Sequence, residues 1–172
     1  MSDLWIADFR WGTAQAPDIV PPGGDTRLAR SVDGQLGRMI RSASPVAAAD
    51  PALEWQSMTC LLDVAGASAR QPATYYYVVE TDVVAEHEDD FNAWYEQEHL
   101  PGLAAVPGTV SARRYRREQA GPRYYACYEL ADRTAFGSPP WLAVRGTRWS
   151  DRVRPHFRNT VRTMYQYVAP HP

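Results

Sequence analysis

The stretch FNAWYEQEHLPGLAAVPGTVSARRYR, residues 91–116, predicts a helix, a turn and a strand in direct succession. One face of the helix is marked by side chains spaced i, i+3, i+4 and i+7, at Phe91, Trp94, Tyr95 and Glu98. An acidic run at 86–90 precedes this face and suits the positive end of a helix dipole. Pro101 lacks a backbone donor, so the helix is expected to end or kink near His99. His99 is therefore predicted to lie at a helix end.

The residues on either side of this stretch extend the pattern to a complete βαββαβ unit. YYYVVETD (75–82) reads as a strand before the helix, and the turns VPGT and GPR separate the elements that follow it. Ser138 followed by proline predicts the capped start of a second helix. The further elements are expected as strands at 110–117, 124–130 and 160–168 and as a helix at 138–148. The unit predicts an α+β fold with a four-stranded antiparallel sheet and two helices on one face.

Residues 1–74 give a weaker pattern, which we interpret as a degenerate βαβ extension or partial repeat preceding the main unit at 75–172. Strands are expected at 4–11 and 56–64. Asp25 or Thr26 is expected to cap a helix between them. Its apolar stripe would consist of Leu28, Val32, Leu36, Met39 and Ile40. PDIVPPGG (17–24) and SASPVAAADPA (42–52) have the composition of linkers.

Composition and charge narrow the class of protein. The chain has 172 residues, of which 45% are hydrophobic and 12% aromatic, a composition far from that of disordered proteins. Its formal net charge of −2 offers no global attraction to nucleic acid or to an anionic membrane. Cys60 and Cys127 form neither a disulfide framework nor a CxxC pattern, and no apolar run is long enough to span a membrane. We therefore expect a cytoplasmic protein with no nucleic-acid or membrane partner.

The sequence from 91 to 116, together with PRYYACYEL and the terminal GTRWSDRVRPHFRNTVRTMY, resembles the EthD-like branch of the dimeric α/β-barrel superfamily. The resemblance covers about residues 75–168 and includes a WY-x-E-x-H-x-P pattern, a VPG turn and an ARRY strand. It implies ferredoxin-like sheets packed across a dimer or within a tandem chain, with a cavity between sheet and helices. Family members include cofactor-free dehydratases, isomerases, cyclases and monooxygenases acting on small, often aromatic, molecules. Fold alone leaves the reaction open.

The helix end supplies the candidate catalytic residues. An imidazole titrates near pH 6.5, a hydroxyl can bind a substrate oxygen, and an adjacent carboxylate can fix the tautomer of the imidazole. In the family pattern the histidine of H-x-P is a proposed acid or base. We therefore expect His99 to move a proton, Tyr95 to bind a substrate oxygen and Glu98 to orient His99. A histidine stabilised by the helix dipole is the structural alternative.

Four further residues are candidates for substrate binding. Alternation along SARRYRRE places Arg113 and Tyr115 on one face of a strand and Arg114 on the other. Arg113 or Arg114 would neutralise a substrate carboxylate, although a solvated edge explains these charges equally. Trp149 would close the cavity, with Tyr115 shaping it and Arg152 beside it. Packing of this C-terminal segment against the sheet edge is the alternative.

The function favoured at this level is cofactor-independent acid–base chemistry on a small aromatic or carbonyl-bearing molecule: dehydration, isomerisation or cyclisation. A non-catalytic carrier or sensor is the alternative, and a cofactor-free monooxygenase or a haem-binding protein is a further one. The histidines show no HxxxH or HExxH spacing, so neither a metal nor a cofactor is expected. A homodimer is expected unless residues 1–74 close the barrel within the chain.

Overall fold

A closed eight-stranded barrel forms the framework of the part of the chain that the structure, a computed structural model, describes: residues 4–11, 26–42 and 54–171. The strands are β1 (Leu4–Arg10), β2 (Thr26–Ser31), β3 (Leu36–Arg41), β4 (Gln56–Ala65), β5 (Ala73–Val83), β6 (Thr109–Arg117), β7 (Tyr124–Leu130) and β8 (Phe157–His171). Every pairing is antiparallel. The strands predicted for the second half coincide with β5 to β8 to within three residues at either end.

The order of strands around the barrel is β1-β3-β2-β8-β5-β7-β6-β4, with β4 pairing back to β1. Split at the β2–β8 and β4–β6 contacts, it gives β4-β1-β3-β2 and β8-β5-β7-β6, which are the same order by position in each half. The chain thus closes a barrel with two matching four-stranded halves. The predicted boundary at 74/75 falls just inside β5. The apolar sheet face that favoured a homodimer is covered by the chain's own strands, so the homodimer stays a prediction without that support.

Helices connect the strands of the second half. They are α1 (Glu88–Trp94), a π-helical turn (Tyr95–His99), α2 (Leu100–Ala104), α3 (Pro139–Arg145) and α4 (Arg148–Val153), with 3₁₀ turns at Ala85–His87, Arg133–Ala135 and Arg154–His156. The side chain of Ser138 accepts from the backbone N–H of Trp141 and caps α3. Thr147 caps α4 in the same way, through the N–H of Ser150. These helices cover the outer face of β5, β6 and β7.

The alternation of side chains along the strands builds two cores. Tyr76 and Val78 of β5 belong to the core inside the barrel, whereas Tyr77 and Val79 belong to the core under the helices. All seven residues of β7 are buried, as expected of a strand covered on both faces. The site described below lies in the core under the helices.

Two buried ionic groups occupy the barrel and join its halves. Arg38 of β3 donates to Asp8 of β1 at 2.6 Å and to Glu80 of β5 at 2.6 Å. Glu129 of β7 accepts from Arg27 of β2 and, at 3.0 Å, from Arg113 of β6. Burial of such charges is tolerated because each has an opposite charge in contact.

The helix predicted from Asp25 or Thr26 is wrong. Residues 26–41 form the β2–β3 hairpin, in which Gly34 adopts a φ of +76° in the connecting turn. Asp33-Gly34 is a dipeptide typical of tight hairpin turns, and the side chain of Asp33 accepts from the backbone N–H of Gln35. Apart from Ser42, the linkers predicted at 17–24 and 42–52 lie outside the described residues.

Candidate functional site

A narrow cavity lies between the helices and the outer face of the second half of the barrel. Its empty space, which includes open solvent at the mouth, is ≈ 340 Å³. The part that can hold the centre of a water molecule is ≈ 20 Å³. Its wall is largely aromatic: Tyr77, Trp94, Tyr95, Tyr128, Trp141 and Phe157. The polar residues that line it are His99, Arg145, Arg154 and Arg162. The inner space matches about one water molecule.

The position of His99 follows from the π-helical turn. The backbone N–H of Leu100 bonds to the carbonyl of Tyr95, five residues back instead of four. Pro101 lacks the N–H that would continue the α-helical ladder, and its ring would crowd the carbonyl of Gln97. A single wide turn at this point lets the helix pass the proline, and such turns are frequent at functional sites.

The helix was expected to end or kink near His99, and it is irregular there without ending. The prediction that His99 is a helix-end residue is corrected, because the helix continues to Ala104 and His99 lies inside it. The wide turn brings residues five apart onto one face, so the ring of His99 stacks on that of Trp94, with centroids 4.1 Å apart and planes at 19°. In a regular α-helix, residues five apart are about 140° apart around the axis. The ring of Tyr95 meets His99 edge-on at 5.4 Å.

The environment of His99 disfavours its charged form. Only 6% of the residue is exposed. Burial, with the charges of Arg154 and Arg145 adding to it, lowers the pKa of His99 from 6.5 to about 3. The imidazole is therefore neutral at pH 7, and stabilisation by a helix dipole, the structural alternative, does not describe this residue.

Several polar atoms of the cavity's lining residues have no hydrogen-bond partner among the residues that the structure describes. They are Nδ1 of His99, Nε1 of Trp94, Nε1 of Trp141, the hydroxyl of Tyr128 and Nη2 of Arg154. Indole and guanidinium nitrogens can only donate. Because leaving a buried donor unpaired costs on the order of 1–3 kcal/mol, their concentration here favours a site for a ligand that brings acceptors.

Of the two predicted partners of His99, Tyr95 lines the cavity and Glu98 does not. Tyr95 lines the cavity as expected, and burial raises the pKa of its hydroxyl to about 12, so it stays protonated. Glu98 does not orient His99: its carboxylate accepts from the hydroxyl of Thr147 at 2.6 Å, and Nδ1 of His99 has no hydrogen-bond partner in the described part of the chain. Glu98 therefore ties the helix to the start of α4.

The predicted substrate-binding residues lie outside the cavity's lining. Trp149 donates through Nε1 to Asp90 at 3.0 Å, and Arg152 binds the same carboxylate at 2.8 Å, which fastens α4 to α1. Tyr115 belongs to the core inside the barrel, and Arg113 is paired there with Glu129. The strand alternation was predicted correctly, but it places these two side chains on the opposite face of the sheet from His99.

Arg114 lies on the helix side, as alternation predicts, but it braces the helix instead of lining the cavity. Its guanidinium donates to Asn92 at 2.6 Å and lies 4.6 Å from the ring centroid of Tyr95. It also covers the rings of Phe91 and Tyr124 at 4.7 Å. Arg114 thus holds Tyr95 in place.

Sequence reasoning missed most of the lining. Trp94 was predicted only as a member of the helical face, and no site role was predicted for the other lining residues Tyr128, Trp141, Arg145, Arg154 and Arg162. Two local patterns mark Tyr128 and Trp141. Alternation along β7 places Tyr128 on the face of the sheet that the helices cover, and Trp141 lies on the buried face of α3. Both side chains therefore lie on the same side of the sheet as His99. Nothing in the local sequence marks the arginines.

Two negative findings apply to the described ranges. Within residues 4–11, 26–42 and 54–171, no group of three or more histidine, cysteine, aspartate and glutamate side chains could hold a metal ion. The helices in these ranges are each too short or too polar to cross a lipid bilayer.

Fold and site together define a class: an α+β protein of the ferredoxin-fold type with an antiparallel sheet and a small, partly open cavity. Residues 74–167 match the family described as "Domain of unknown function (DUF4286)", and the chain belongs to this family. Among curated proteins, none matches the chain.

Solved structures share the fold over nearly the whole chain. A major regulator of staphylococcal pathogenesis is 12% identical with a TM-score of 0.66, and the match covers 97% of this chain and 99% of that one. A ferredoxin fold protein of Listeria monocytogenes, described as related to antibiotic biosynthesis monooxygenases, is 11% identical with a TM-score of 0.61, covering 98% and 96%. The haem-degrading enzyme LmHde of Listeria monocytogenes is 9% identical with a TM-score of 0.55, covering 96% and 99%. Identities this low show the fold alone, and the EthD-like resemblance stays a prediction.

Proposed function

We propose that the protein is a cofactor-independent enzyme that moves protons on a small, aromatic, carbonyl-bearing molecule bound in the cavity at His99. The observation that carries this proposal is the group of unpartnered polar atoms around a neutral, buried imidazole. An acceptor oxygen of a ligand would satisfy the donors of Trp94, Trp141 and Arg154. Dehydration, isomerisation and cyclisation can each begin with such a proton transfer.

In the proposed reaction, Nδ1 of His99 removes a proton from carbon next to the substrate carbonyl, and the carbonyl oxygen becomes an oxyanion. The donors of the lining stabilise this oxyanion because they are held in place and largely shielded from water. The same negative charge raises the pKa of the imidazole, which burial and the arginines keep low in the free protein. His99 then returns the proton to another carbon or to a departing hydroxyl group.

The proposal agrees in broad terms with the structural neighbours. One is described as related to monooxygenases and another as a haem-degrading enzyme, so small-molecule chemistry occurs on this fold. The space open to a water centre is ≈ 20 Å³, so any ligand requires side chains of the lining to move, and a haem group requires far more room than a single aromatic ring. A cofactor-free monooxygenase remains an alternative that would share the initial proton removal.

A carrier or sensor is the second candidate, and one observation favours it. An imidazole with a pKa of about 3 is a weak base at neutral pH until a ligand changes its surroundings. A protein of this kind would bind the same molecules in the same cavity without exchanging their protons. It would keep its affinity in a His99→Ala variant and release the ligand unchanged.

Deuterium incorporation tests the proposed chemistry without knowledge of the natural product. A panel of small aromatic ketones, diketones and keto acids is incubated with the protein in D₂O, and exchange at carbon is followed by mass spectrometry. The wild type is expected to accelerate exchange in at least one compound. His99→Gln should slow it by roughly 100-fold or more, the usual contribution of a general base.

His156→Gln is the matched control, because His156 stacks on His87 and does not line the cavity. It should exchange the compound at the wild-type rate. Equal rates in wild type and His99→Gln would refute proton transfer by His99. Binding of a compound without exchange in the wild type would support the carrier.

A further inference from the structure

Three guanidinium groups line the cavity, and no described carboxylate pairs with them. Arg145 ends α3, Arg154 follows α4 and Arg162 belongs to β8, so three separate elements bring them to one place. None of them takes part in an ion pair within the described residues. Nη2 of Arg154 is buried and lacks any hydrogen-bond partner there.

Three arginines elsewhere in the described chain are neutralised by carboxylates. Arg27 and Arg113 share Glu129, and Arg38 contacts both Asp8 and Glu80. Two further buried arginines have no ion pair within the described residues and donate to an amide oxygen instead, Arg114 to Asn92 and Arg117 to Gln56. The cavity differs from both cases because three guanidinium groups without an ion pair among the described residues lie around one space.

The arginine charges also affect one another and His99. Burial and the neighbouring Arg145 lower the pKa of Arg154, with Tyr95 and Asp151 opposing that shift only in part. Asp151 is exposed and forms no ion pair with Arg154 within the described residues. Arg154 and Arg145 also disfavour protonation of His99. Holding like charges together around a small, partly buried space costs free energy unless an anion offsets them.

The remaining lining specifies what accompanies the anion. The indole N–H groups of Trp94 and Trp141 and the guanidinium groups are donors only, so the ligand must supply acceptor oxygens. The wall itself is aromatic, with Tyr77, Trp141 and Phe157 among its members. Planar rings pack well against such walls.

We propose that the natural ligand is a small aromatic acid whose carboxylate is bound by Arg145, Arg154 and Arg162 and whose ring packs against the aromatic wall. This assignment deepens the proposed function, since it names the substrate class of the same cavity. A carboxylate is planar and can accept two parallel hydrogen bonds from one guanidinium group. Arg162 is exposed and Arg145 and Arg154 are half-buried, so these side chains can move aside to admit a ring larger than the present space.

Calorimetric titration of the whole chain tests the assignment with three kinds of probe: aromatic acids (benzoate, salicylate and 1-naphthoate), the neutral amide of each acid, and inorganic phosphate. At least one acid is expected to bind at least tenfold more tightly than its amide and than phosphate. Its affinity should fall as salt is raised from 50 to 500 mM, because partly exposed charges are screened. Arg154→Gln should weaken the acid at least tenfold.

The control is Arg148→Gln, which removes the same charge from an exposed position of α4 that does not line the cavity. It should bind the acid like the wild type. Arg162→Gln changes an exposed lining residue and serves as a second test should Arg154→Gln prove unfolded by its thermal denaturation curve; it should weaken the acid several-fold.

The assignment is overturned if no acid binds, if an amide binds as tightly as its acid, or if phosphate binds as tightly as the best acid. Unchanged affinity in the folded arginine variants would also overturn it. These outcomes are separable from the fate of the proposed function. Acid binding that depends on Arg154, without proton exchange through His99, removes the chemistry alone. Exchange of neutral ketones that depends on His99, with no acid bound more tightly than its amide, removes the acid alone.

Discussion

At the scale of single residues, His99 is held in a neutral state by surroundings that the fold builds around it. Its ring is stacked on Trp94, met edge-on by Tyr95 and surrounded by arginine charges. The depressed pKa links the folding of the protein to pH. Between about pH 6.5 and 3 the unfolded chain binds a proton at His99 that the folded protein excludes, so acidification favours unfolding.

We expect this linkage to be visible in the free energy of unfolding measured by urea denaturation. Between pH 6 and pH 5 the wild type should lose about 1 kcal/mol more stability than His99→Gln, which has no group titrating at that position. The comparison concerns the change with pH, so any constant effect of the substitution cancels. Parallel pH dependences in the two proteins would mean that His99 titrates normally in the fold.

His99 and Tyr95 could be predicted as candidate site residues from the sequence, but the residues that surround them could not. The helical spacing and the H-x-P pattern are local, and both residues line the cavity. Whether Nδ1 of His99 finds a partner depends on Glu98, whose carboxylate is bound by Thr147, 49 residues away in the chain. The arginines come from three elements whose meeting is fixed only by the barrel.

At the scale of elements, α2 and α3 meet at a point where only glycine fits. A Cβ atom built on Gly102 would lie 2.8 Å from Cγ1 of Val144. Gly102 follows Pro101 directly, so the close approach of α3 is located one turn from the wide helical turn that positions His99. The two helices thereby fix the cavity's wall.

A double-mutant cycle on Gly102 and Val144 tests this contact. Gly102→Ala should lower the free energy of unfolding by about 1–2 kcal/mol, because overpacking outweighs the gain of about 1 kcal/mol in helix propensity. In a Val144→Ala background the same change should stabilise the protein. Urea denaturation of the four proteins gives the coupling. Additive effects would show that the two helices do not touch there.

The elements of the second half could be predicted because each carries its own start and stop signals. The spacing of apolar residues does not identify the β2–β3 hairpin, because the same positions also fit one face of a helix. The turn dipeptide Asp33-Gly34 was the stronger signal, because it fixes a local backbone conformation whatever the period around it. Pro101 cannot continue a regular α-helix, so the helix must either end or form a π-helical turn before it. Residue spacing alone does not show which of the two occurs.

At the scale of the whole molecule, the halves of the barrel are fastened through its interior. Glu129 of β7 accepts from Arg27 of β2, from Arg113 at 3.0 Å and from the hydroxyl of Ser111 at 2.6 Å. The opposite charges outweigh burial and lower the pKa of Glu129 to about 2. The carboxylate is thus charged throughout the neutral range.

Glu129→Gln is expected to lower the free energy of unfolding by roughly 3–5 kcal/mol, because it leaves Arg27 buried without an opposite charge. Glu118→Gln is the matched control: its partner Arg116 and Glu118 itself are 39% and 61% exposed, and such pairs contribute at most about 1 kcal/mol. Urea denaturation at pH 7 measures both. Losses of equal size would show that the interior pair does not join the halves.

The overall architecture was predictable to the level of class. The α+β character and the antiparallel sheet follow from the elements of 75–168. In the N-terminal part, the strands expected at 4–11 and 56–64 correspond to β1 and β4. The sequence did not predict four N-terminal strands in the same order as those of the second half. That order depends on strand pairings such as Ala29 with Tyr167, which join parts of the chain that are far apart in sequence.

The placement of β8 also sets the order in which the protein can be completed during synthesis. This strand lies between β2 and β5 and contributes Phe157 and Arg162 to the cavity. Until residues 157–171 have been synthesised, β2 lacks its neighbour on one side and the cavity lacks Phe157 and Arg162. The nascent chain therefore carries exposed strand edges, a known route to aggregation, until its last strand emerges. Barrel closure and assembly of the site are then a single event.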